Sequence, residues 1–262
     1  MSPLFSKTSL MVLESLSFTN TLYAFDFDGT LAKIVKTPSA ARMTQVTEAL
    51  LRQLGELAPI AIISGRSISD LKSRLLFRPR YLIGNHGLEN LGNNEQSLLK
   101  AKEMSESWLK ILKAPGFDAG IEVEDKVYSL AIHYRRCKRK FVARAQIKER
   151  LELLDPAARV ILGKYVVNIV PPGSPHKGIA ILDLLRHSGM KHMFYIGDDV
   201  TDEDVFSLPY NTGQILAVRV GRKKNSSARY YIERQSEINR LLKLLISYYS
   251  PKLKEIDSGG QG

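Results

Sequence analysis

The sequence contains a single cysteine, Cys137, among its 262 residues, so it excludes an internal disulfide framework. A chain of this length can bury a substantial core without such bridges, and a lone thiol fits a reducing compartment. We interpret Cys137 itself as buried or inert. No apolar run approaches the roughly eighteen residues of a membrane helix, and no signal-peptide cleavage pattern follows the N-terminal apolar patch. We therefore expect a cytoplasmic protein without a membrane partner.

Acidic residues are the minority: the net charge is +11, which implies attraction to anions such as nucleic acid, a membrane surface or a phosphorylated metabolite. Two basic runs, Arg135–Lys140 and Arg219–Lys224, lack the interleaved aromatics of a nucleic-acid stacking platform. We interpret them as a solvated helix start and a loop, and we expect no nucleic-acid partner.

Short apolar runs alternate with helical patterns at both ends of the chain. One helical pattern has its apolar stripe at Ile179, Leu182 and Leu185. Such alternation predicts an α/β fold with a Rossmann-like parallel sheet covered on both faces. The predicted buried strands are Thr21–Phe25, Pro59–Ile63, Tyr81–Ile83, Met193–Ile196 and Leu216–Val220. The polar tail from Lys254 is expected to be disordered.

The middle of the chain has a different rhythm, an α-β-β unit that occurs twice. It predicts a smaller antiparallel sheet with helices on one face. We expect residues 1–97 and 171–262 to form the core, with residues 98–170 inserted as a second domain. Trp108, in the first helical stretch of the insert, is interpreted as a packing residue.

Alternation within the insert divides one strand into two faces. Tyr128, Leu130, Ile132 and Tyr134 share the face expected against the helices, whereas Ser129, Ala131, His133 and Arg135 share the other. The polar face is either solvated or a lid over a polar ligand.

Polar clusters fall at the predicted carboxyl ends of the core strands, where open parallel sheets bind ligands. They comprise Asp26 with Asp28, then Ser64, then Lys177 at a helix start, and finally Asp198, Asp199 and Asp202. Each has an ordinary explanation alone, as a turn, a surface lysine or an acidic helix start. Together they fit phosphoryl transfer. Converging carboxylates favour a hard cation such as Mg²⁺. One carboxylate can attack phosphorus, and a second can transfer a proton to or from the leaving group. Ser64 and Lys177 can donate hydrogen bonds to the phosphoryl oxygens.

The segment Asp26-Phe27-Asp28-Gly29-Thr30-Leu31 resembles the first signature of the haloacid dehalogenase (HAD) superfamily. Ile63–Arg66, Lys177-Gly178 and Gly197-Asp198-Asp199 resemble the other three, in order. The resemblance implies Asp26 as nucleophile and Asp28 as general acid and base. It also implies that Asp26, Asp198 and the main-chain carbonyl of Asp28 bind Mg²⁺, and that Asp199 and Asp202 support this metal site. The insert resembles the α/β cap of the superfamily.

Within that superfamily, the sequence is most similar to trehalose-6-phosphate phosphatases. Gly84–Glu89, the acidic segment Gly197–Phe206, Glu124-Asp125-Lys126 and His133-Tyr134-Arg135 match family elements, whereas Asn168 stands where the family usually has glutamate. The resemblance implies a sugar-phosphate substrate, either trehalose 6-phosphate or another such as sucrose phosphate or a glycosyl-3-phosphoglycerate. The substrate contacts that it implies are Gly65, Arg66, Asn85, His86, Glu89, Glu124, Lys126, His133, Arg135 and Asn168.

Two classes of function remain at this point. The first is a phosphatase that works through an aspartyl-phosphate, supported by the ordered clusters. The second is an anion-binding or nucleic-acid-binding protein, supported only by the net charge. The ordered carboxylates favour the enzyme, and we expect it to be a monomer.

Overall fold

The structure, a computed structural model, describes residues 1–35, 37–89, 95–208 and 214–249; the tail from Lys254 lies outside them. Within these ranges the strands are β1 (Ser2–Pro3), β2 (Thr21–Asp26), β3 (Ile60–Ile63), β4 (Tyr81–Ile83), β5 (Glu122–Asp125), β6 (Leu130–His133), β7 (Arg159–Gly163), β8 (Val166–Val170), β9 (His192–Gly197), β10 (Ile215–Val220) and β11 (Tyr230–Ile232). The helices are α1 (Lys7–Ser15), α2 (Gln45–Leu57), α3 (Ile68–Lys72), α4 (Glu95–Leu112), α5 (Lys140–Leu151), α6 (Lys177–Ser188), α7 (Glu203–Phe206) and α8 (Ile238–Ser247).

The larger sheet is parallel throughout and has the order β1-β11-β10-β9-β2-β3-β4. From β2 the chain continues to β3 and β4 on one side, and it later forms β9, β10 and β11 on the other. The carboxyl end of β2 is therefore a switch point in strand order, where α/β sheets form a ligand crevice. The predicted Rossmann-like α/β core is confirmed.

Two strands of this sheet were not predicted. β1 has two residues and β11 has three, and they pair at the edge beyond β10. Runs this short carry no alternation, and neither is followed by a polar turn signal such as the Gly84–Gly87 segment that marks the equally short β4. Their pairing depends on the tertiary fold.

Each face of the larger sheet packs against helices. Phe25 and Phe194 belong to the apolar core shared with α2 and α8, whereas Ala24 and Tyr195 belong to the core shared with α6. Burial on both faces explains why β2 and β9 read as continuous apolar runs.

The second sheet is antiparallel, with the order β5-β6-β8-β7, and follows the predicted α-β-β pattern twice. Its helix face buries Leu130 and Ile132 against α4 and α5, with Trp108 fully buried and Cys137 unpaired in the same core. The packing role of Trp108 is thus confirmed. Among the described residues, no helix combines the length and apolarity needed to cross a membrane.

Candidate active site

Three carboxylates meet at the carboxyl edge of the central strands. Asp26 is the last residue of β2, and Asp198 and Asp202 follow β9, the strand beside it. One oxygen from each lies within 4.8 Å of the others. The edge geometry of a parallel sheet thus brings together residues more than 170 positions apart.

The ammonium group of Lys177, the first residue of α6, lies between two of these carboxylates. Its Nζ donates to Asp26 Oδ1 and to Asp202 Oδ1, each at 2.7 Å. The Tyr195 hydroxyl donates to the same oxygen of Asp202 at 2.6 Å, and the Asp199 amide donates to Asp202 Oδ2 at 2.8 Å. Because both of its oxygens are engaged, Asp202 mainly orients Lys177 and the acidic loop.

Burial and mutual repulsion shift the protonation of the cluster. Burial raises the pKa of Asp26 well above its usual range; Lys177 counteracts this shift, and Asp202 and Asp198 add to it. Burial, with Asp202 and Asp199, raises the pKa of Asp198 to about 8. Burial alone would lower the pKa of Lys177, but Asp202 and Asp26 raise it well above its usual value. Lys177 is therefore a permanent cation at this site.

The cluster suits a hard divalent cation. Its donors are carboxylate oxygens, and Asp198 Oδ1 is buried without a hydrogen-bond partner among the described residues. Positive charge would relieve the repulsion that raises the pKa values. Gly29 approaches Asp198 so closely that a Cβ would lie 2.1 Å from Asp198 Oδ2, and its φ of +85° also favours glycine.

The other two predicted metal residues point elsewhere. The carboxylate of Asp28 is turned to Arg66, which donates to Asp28 Oδ2 from Nε at 2.6 Å and to Asp28 Oδ1 from Nη2 at 2.7 Å. Asp199 points toward the smaller sheet, where a Cβ on Gly163 would be 3.7 Å from its Oδ2. Neither side chain belongs to the three-carboxylate cluster.

Ser64 follows β3, beside Asp26. Its amide donates to the Ile83 carbonyl at 3.0 Å, and its Oγ accepts from the Arg66 amide at 3.2 Å. The hydroxyl proton can still be donated to an anion in the crevice.

A cavity of about 660 Å³ joins this edge to the polar face of the smaller sheet, within the usual range for small-molecule sites. Glu124 Oε2 and His133 Nε2 lie 2.7 Å apart on that face. Lys126 Nζ donates to the Gly65 carbonyl at 3.0 Å and to Asn168 Oδ1 at 3.1 Å. The polar face therefore lies over a shared cavity and is not simply solvated.

His86 lies where the two parts of the cavity meet. Its φ is 58°, and its ring packs so closely on Gly65 that a Cβ there would be 2.4 Å from the imidazole. Burial, with the ammonium groups of Lys126 and Lys177, lowers the pKa of His86 well below its usual value. His86 is therefore a neutral imidazole in the cavity wall. Arg135 lies at the cavity mouth, over the Tyr165 ring.

Two of the predicted sugar contacts do not line the cavity. Asn85 donates from Nδ2 to Glu89 at 2.6 Å and to the Lys126 carbonyl at 3.2 Å, and it accepts from the Ser129 hydroxyl. Glu89 also accepts from the Ile68 amide at 2.9 Å, and burial raises its pKa. These two residues connect the β5–β6 turn to the core.

Arg219 has a structural role that was not predicted. It falls within the predicted strand Leu216–Val220 and lies in β10, where it is 7% exposed, so the interpretation of the basic run from Arg219 as a loop is wrong for this residue. Its guanidinium donates to the carbonyls of Asp198 and Asp199 and to Glu203, so it holds the acidic loop. An arginine inside an otherwise apolar strand was the available signal, because a buried charge requires partners.

The trehalose-phosphatase family profile matches residues 24–236, which is most of the chain. Trehalose-phosphate phosphatase B of Arabidopsis thaliana is 30% identical over 244 residues, covering 85% of this chain and 65% of the relative. Trehalose-phosphate phosphatase of Mycobacterium bovis is 32% identical over 206 residues, covering 74% and 53%. The chain thus spans between half and two thirds of the length of these curated relatives.

A solved structure has the same fold. The C-terminal domain of C. albicans trehalose-6-phosphate phosphatase superimposes with a TM-score of 0.69 at 23% identity, covering 94% of this chain and 98% of that one. The profile match, the two relatives and the shared fold agree with the carboxylate site. The chain belongs to the trehalose-phosphatase family.

Proposed function

We propose that this chain hydrolyses trehalose 6-phosphate to trehalose and phosphate through an aspartyl-phosphate on Asp26. The observation that supports this most is Lys177 Nζ, held 2.7 Å from Asp26 Oδ1 in a cavity shared with a polar sheet face. Lys177 both fixes the orientation of the Asp26 carboxylate and favours its ionised form.

In the first step, an oxygen of Asp26 forms a bond to phosphorus while the bond from phosphorus to the sugar oxygen breaks. Asp28 gives its proton to that leaving oxygen. In the second step, Asp28 takes a proton from a water molecule that attacks the same phosphorus, which releases phosphate and restores Asp26. Ser64 and Lys177 donate to the phosphoryl oxygens throughout.

We assign the cofactor as Mg²⁺, held by Asp26, Asp198 and the main-chain carbonyl of Asp28. Asp202 supports the site through Lys177 and the Asp199 amide, whereas the Asp199 side chain points away from it. When bound, it supplies positive charge that offsets the carboxylates and the phosphoryl group. The all-oxygen donor set and the unpartnered Asp198 Oδ1 support this choice over a softer metal.

The sugar is assigned to the face that carries Glu124, Lys126, His133 and Asn168. Carboxylate, ammonium, imidazole and amide groups offer both donors and acceptors, as sugar hydroxyls require. We propose residues 98–170 as the cap that covers the sugar and excludes water. The single cysteine fits a reducing compartment such as the cytoplasm, where we place the chain. We also propose a monomer, which size-exclusion chromatography with light scattering would test.

The test is phosphate release with Mg²⁺ from trehalose 6-phosphate, beside glucose 6-phosphate, sucrose 6-phosphate and a glycosyl-3-phosphoglycerate, with Asp26→Asn as the blank. Selective release from trehalose 6-phosphate is expected. Preference for another member of the panel would keep the reaction and change the sugar. Release that persists in the Asp26→Asn protein would remove the mechanism.

A further inference from the structure

One guanidinium group holds both oxygens of the Asp28 carboxylate. Arg66 lies three residues after the end of β3 and is 6% exposed, whereas the side chain of Asp28 is 39% exposed. The two bonds, at 2.6 and 2.7 Å, form a bidentate pair that restricts both side-chain torsions of Asp28. An otherwise mobile carboxylate is thereby fixed at the cavity wall.

The remaining donors of Arg66 are mostly engaged by the protein. Nη1 donates to Asp70 Oδ2 at 2.8 Å, and Nη2 donates to the Pro38 carbonyl at 2.8 Å. Four of its five N–H groups are thus used within the chain. Its guanidinium also lies 5.6 Å from the centre of the Phe27 ring. Little donor capacity is left for a substrate.

A second arginine fixes the support of the first. Arg74 donates to the two oxygens of Asp70 from Nε and Nη2 at 2.7 and 2.6 Å. Its Nη1 donates to the carbonyls of Ser39 and Ala41 at 3.0 and 2.8 Å. Burial of Asp70 is outweighed by Arg74 and Arg66, which lower its pKa, so Asp70 stays anionic. Charge-assisted hydrogen bonds therefore join Arg74, Asp70, Arg66 and Asp28 into one continuous series.

We propose that Arg66 is a positioning residue that aims the carboxyl group of Asp28 at the leaving oxygen, and that it does not contact the sugar. The bidentate pair engages one lone pair on each oxygen of Asp28, and the second lone pair of each oxygen remains to carry the transferred proton. Proton transfer requires the donor to lie within hydrogen-bond distance of the leaving oxygen, so a small rotation of Asp28 would be costly. This inference rests on the proposed function, because it takes Asp28 as the acid and base.

Three phosphate esters separate a positioning residue from a sugar contact. Trehalose 6-phosphate and glycerol phosphate both have alkoxide leaving groups that need a proton, but only the first has the disaccharide. p-Nitrophenyl phosphate has a leaving group that departs without one. For Arg66→Gln, we expect kcat to fall about 10²-fold on both alkyl esters, with KM within about threefold. The burst of p-nitrophenolate, which reports phosphorylation of Asp26, should change less than about threefold.

A double-mutant cycle provides the second readout. If Arg66 acts through Asp28, Arg66→Gln should have no further effect in an Asp28→Asn background. Arg186→Gln, which removes an exposed ion pair with a single hydrogen bond to Asp183, is the control and should match the wild type. Arg66→Lys keeps the positive charge but cannot form the bidentate pair, so it replaces Arg66→Gln if that variant fails to fold.

The proposal would be overturned if Arg66→Gln raised KM for trehalose 6-phosphate alone. It would also be overturned if Arg66→Gln lowered kcat further in the Asp28→Asn background. Lack of wild-type turnover on trehalose 6-phosphate alone would instead refute the proposed substrate. The comparison of glycerol phosphate with p-nitrophenyl phosphate would still decide the part played by Arg66.

Discussion

Asn168 offers a test of the sugar side of the site, because it accepts from Lys126 at 3.1 Å and is 5% exposed. The change Asn168→Asp keeps the shape of the side chain and turns a neutral acceptor into a charged one. A hydrogen bond to a charged group is worth about 1 kcal/mol more than one to a neutral group. If Asn168 contacts a sugar hydroxyl, KM for trehalose 6-phosphate should fall about fivefold, with kcat nearly unchanged.

The assay is steady-state phosphate release at saturating Mg²⁺, with p-nitrophenyl phosphate as the substrate that lacks a sugar. Glu124→Gln is the matched control: it removes a charged acceptor from the same face, so KM for the sugar phosphate should rise. Equal changes in KM for both substrates would refute this prediction, because the substitution would then act at the phosphate and not at the sugar. So would an unchanged KM for Asn168→Asp beside a raised KM for Glu124→Gln.

Other predictions concern the charged cluster and the cap. Lys177→Met leaves the buried carboxylates of Asp26 and Asp202 without their cation, so the unfolding free energy should fall by about 3–5 kcal/mol in a denaturant titration, and Mg²⁺ should restore part of it. Because the pKa of Asp198 is about 8 when folded and lower when unfolded, metal-free stability should decrease as pH rises toward 8. The thermal shift caused by a fixed Mg²⁺ concentration should increase over the same range, since protons compete with the metal. Trp108→Ala should lower the unfolding free energy by about 3–5 kcal/mol, because it leaves a cavity in the core of the smaller sheet. It should also reduce turnover of the sugar phosphate more than that of p-nitrophenyl phosphate.

Each of these has a matched control or a contrary result. Lys102→Met removes an exposed lysine whose partner is 3.8 Å away, so an equal loss in both lysine variants would contradict a special role for the buried one. A Mg²⁺-induced thermal shift that is independent of pH would contradict the raised pKa of Asp198. Equal losses on both substrates after Trp108→Ala would show that the cap core also supports the catalytic edge.

Positions at strand ends were predictable because the sheet is parallel. Asp26, Ser64 and Asp198 each follow an apolar run, and the carboxyl ends of parallel strands share one edge. The alternation around His133 also predicted the polar face correctly, because the side-chain period of a strand is fixed at two. Both inferences need only local sequence and a general rule of geometry.

The phase of α6 was wrong. Of the predicted stripe, Leu185 is buried, but Ile179 and Leu182 are 42% and 37% exposed. The other buried apolar residues of the helix include Ile181 and Leu184. This helix has apolar residues on two faces, so periodicity alone does not choose between them. The buried face begins with Lys177, and only its distant carboxylate partners explain why a lysine lies there.

Partners far apart in the sequence could not be predicted. Arg66 and Asp28 are separated by 38 residues, and Arg219 contacts a loop about 20 residues before it. Nothing local distinguishes Arg66 from an exposed arginine. The apolar strand around Arg219 signals that this arginine is buried, but it does not identify the partners. Their pairing follows from which strands are neighbours in the sheet, and that order becomes known only with the fold.

Phosphorylation of Asp26 is the step on which the proposed reaction depends, and rapid acid quenching during a single turnover detects it. With trehalose 6-phosphate, Mg²⁺ and excess enzyme, peptide mapping by mass spectrometry should find one phosphoryl group on the peptide that contains Asp26, rising and then decaying as phosphate appears. We expect no such adduct in the Asp26→Asn protein. Phosphate release at full rate without any modified peptide at the earliest times, or an adduct on another residue, would contradict the proposed reaction.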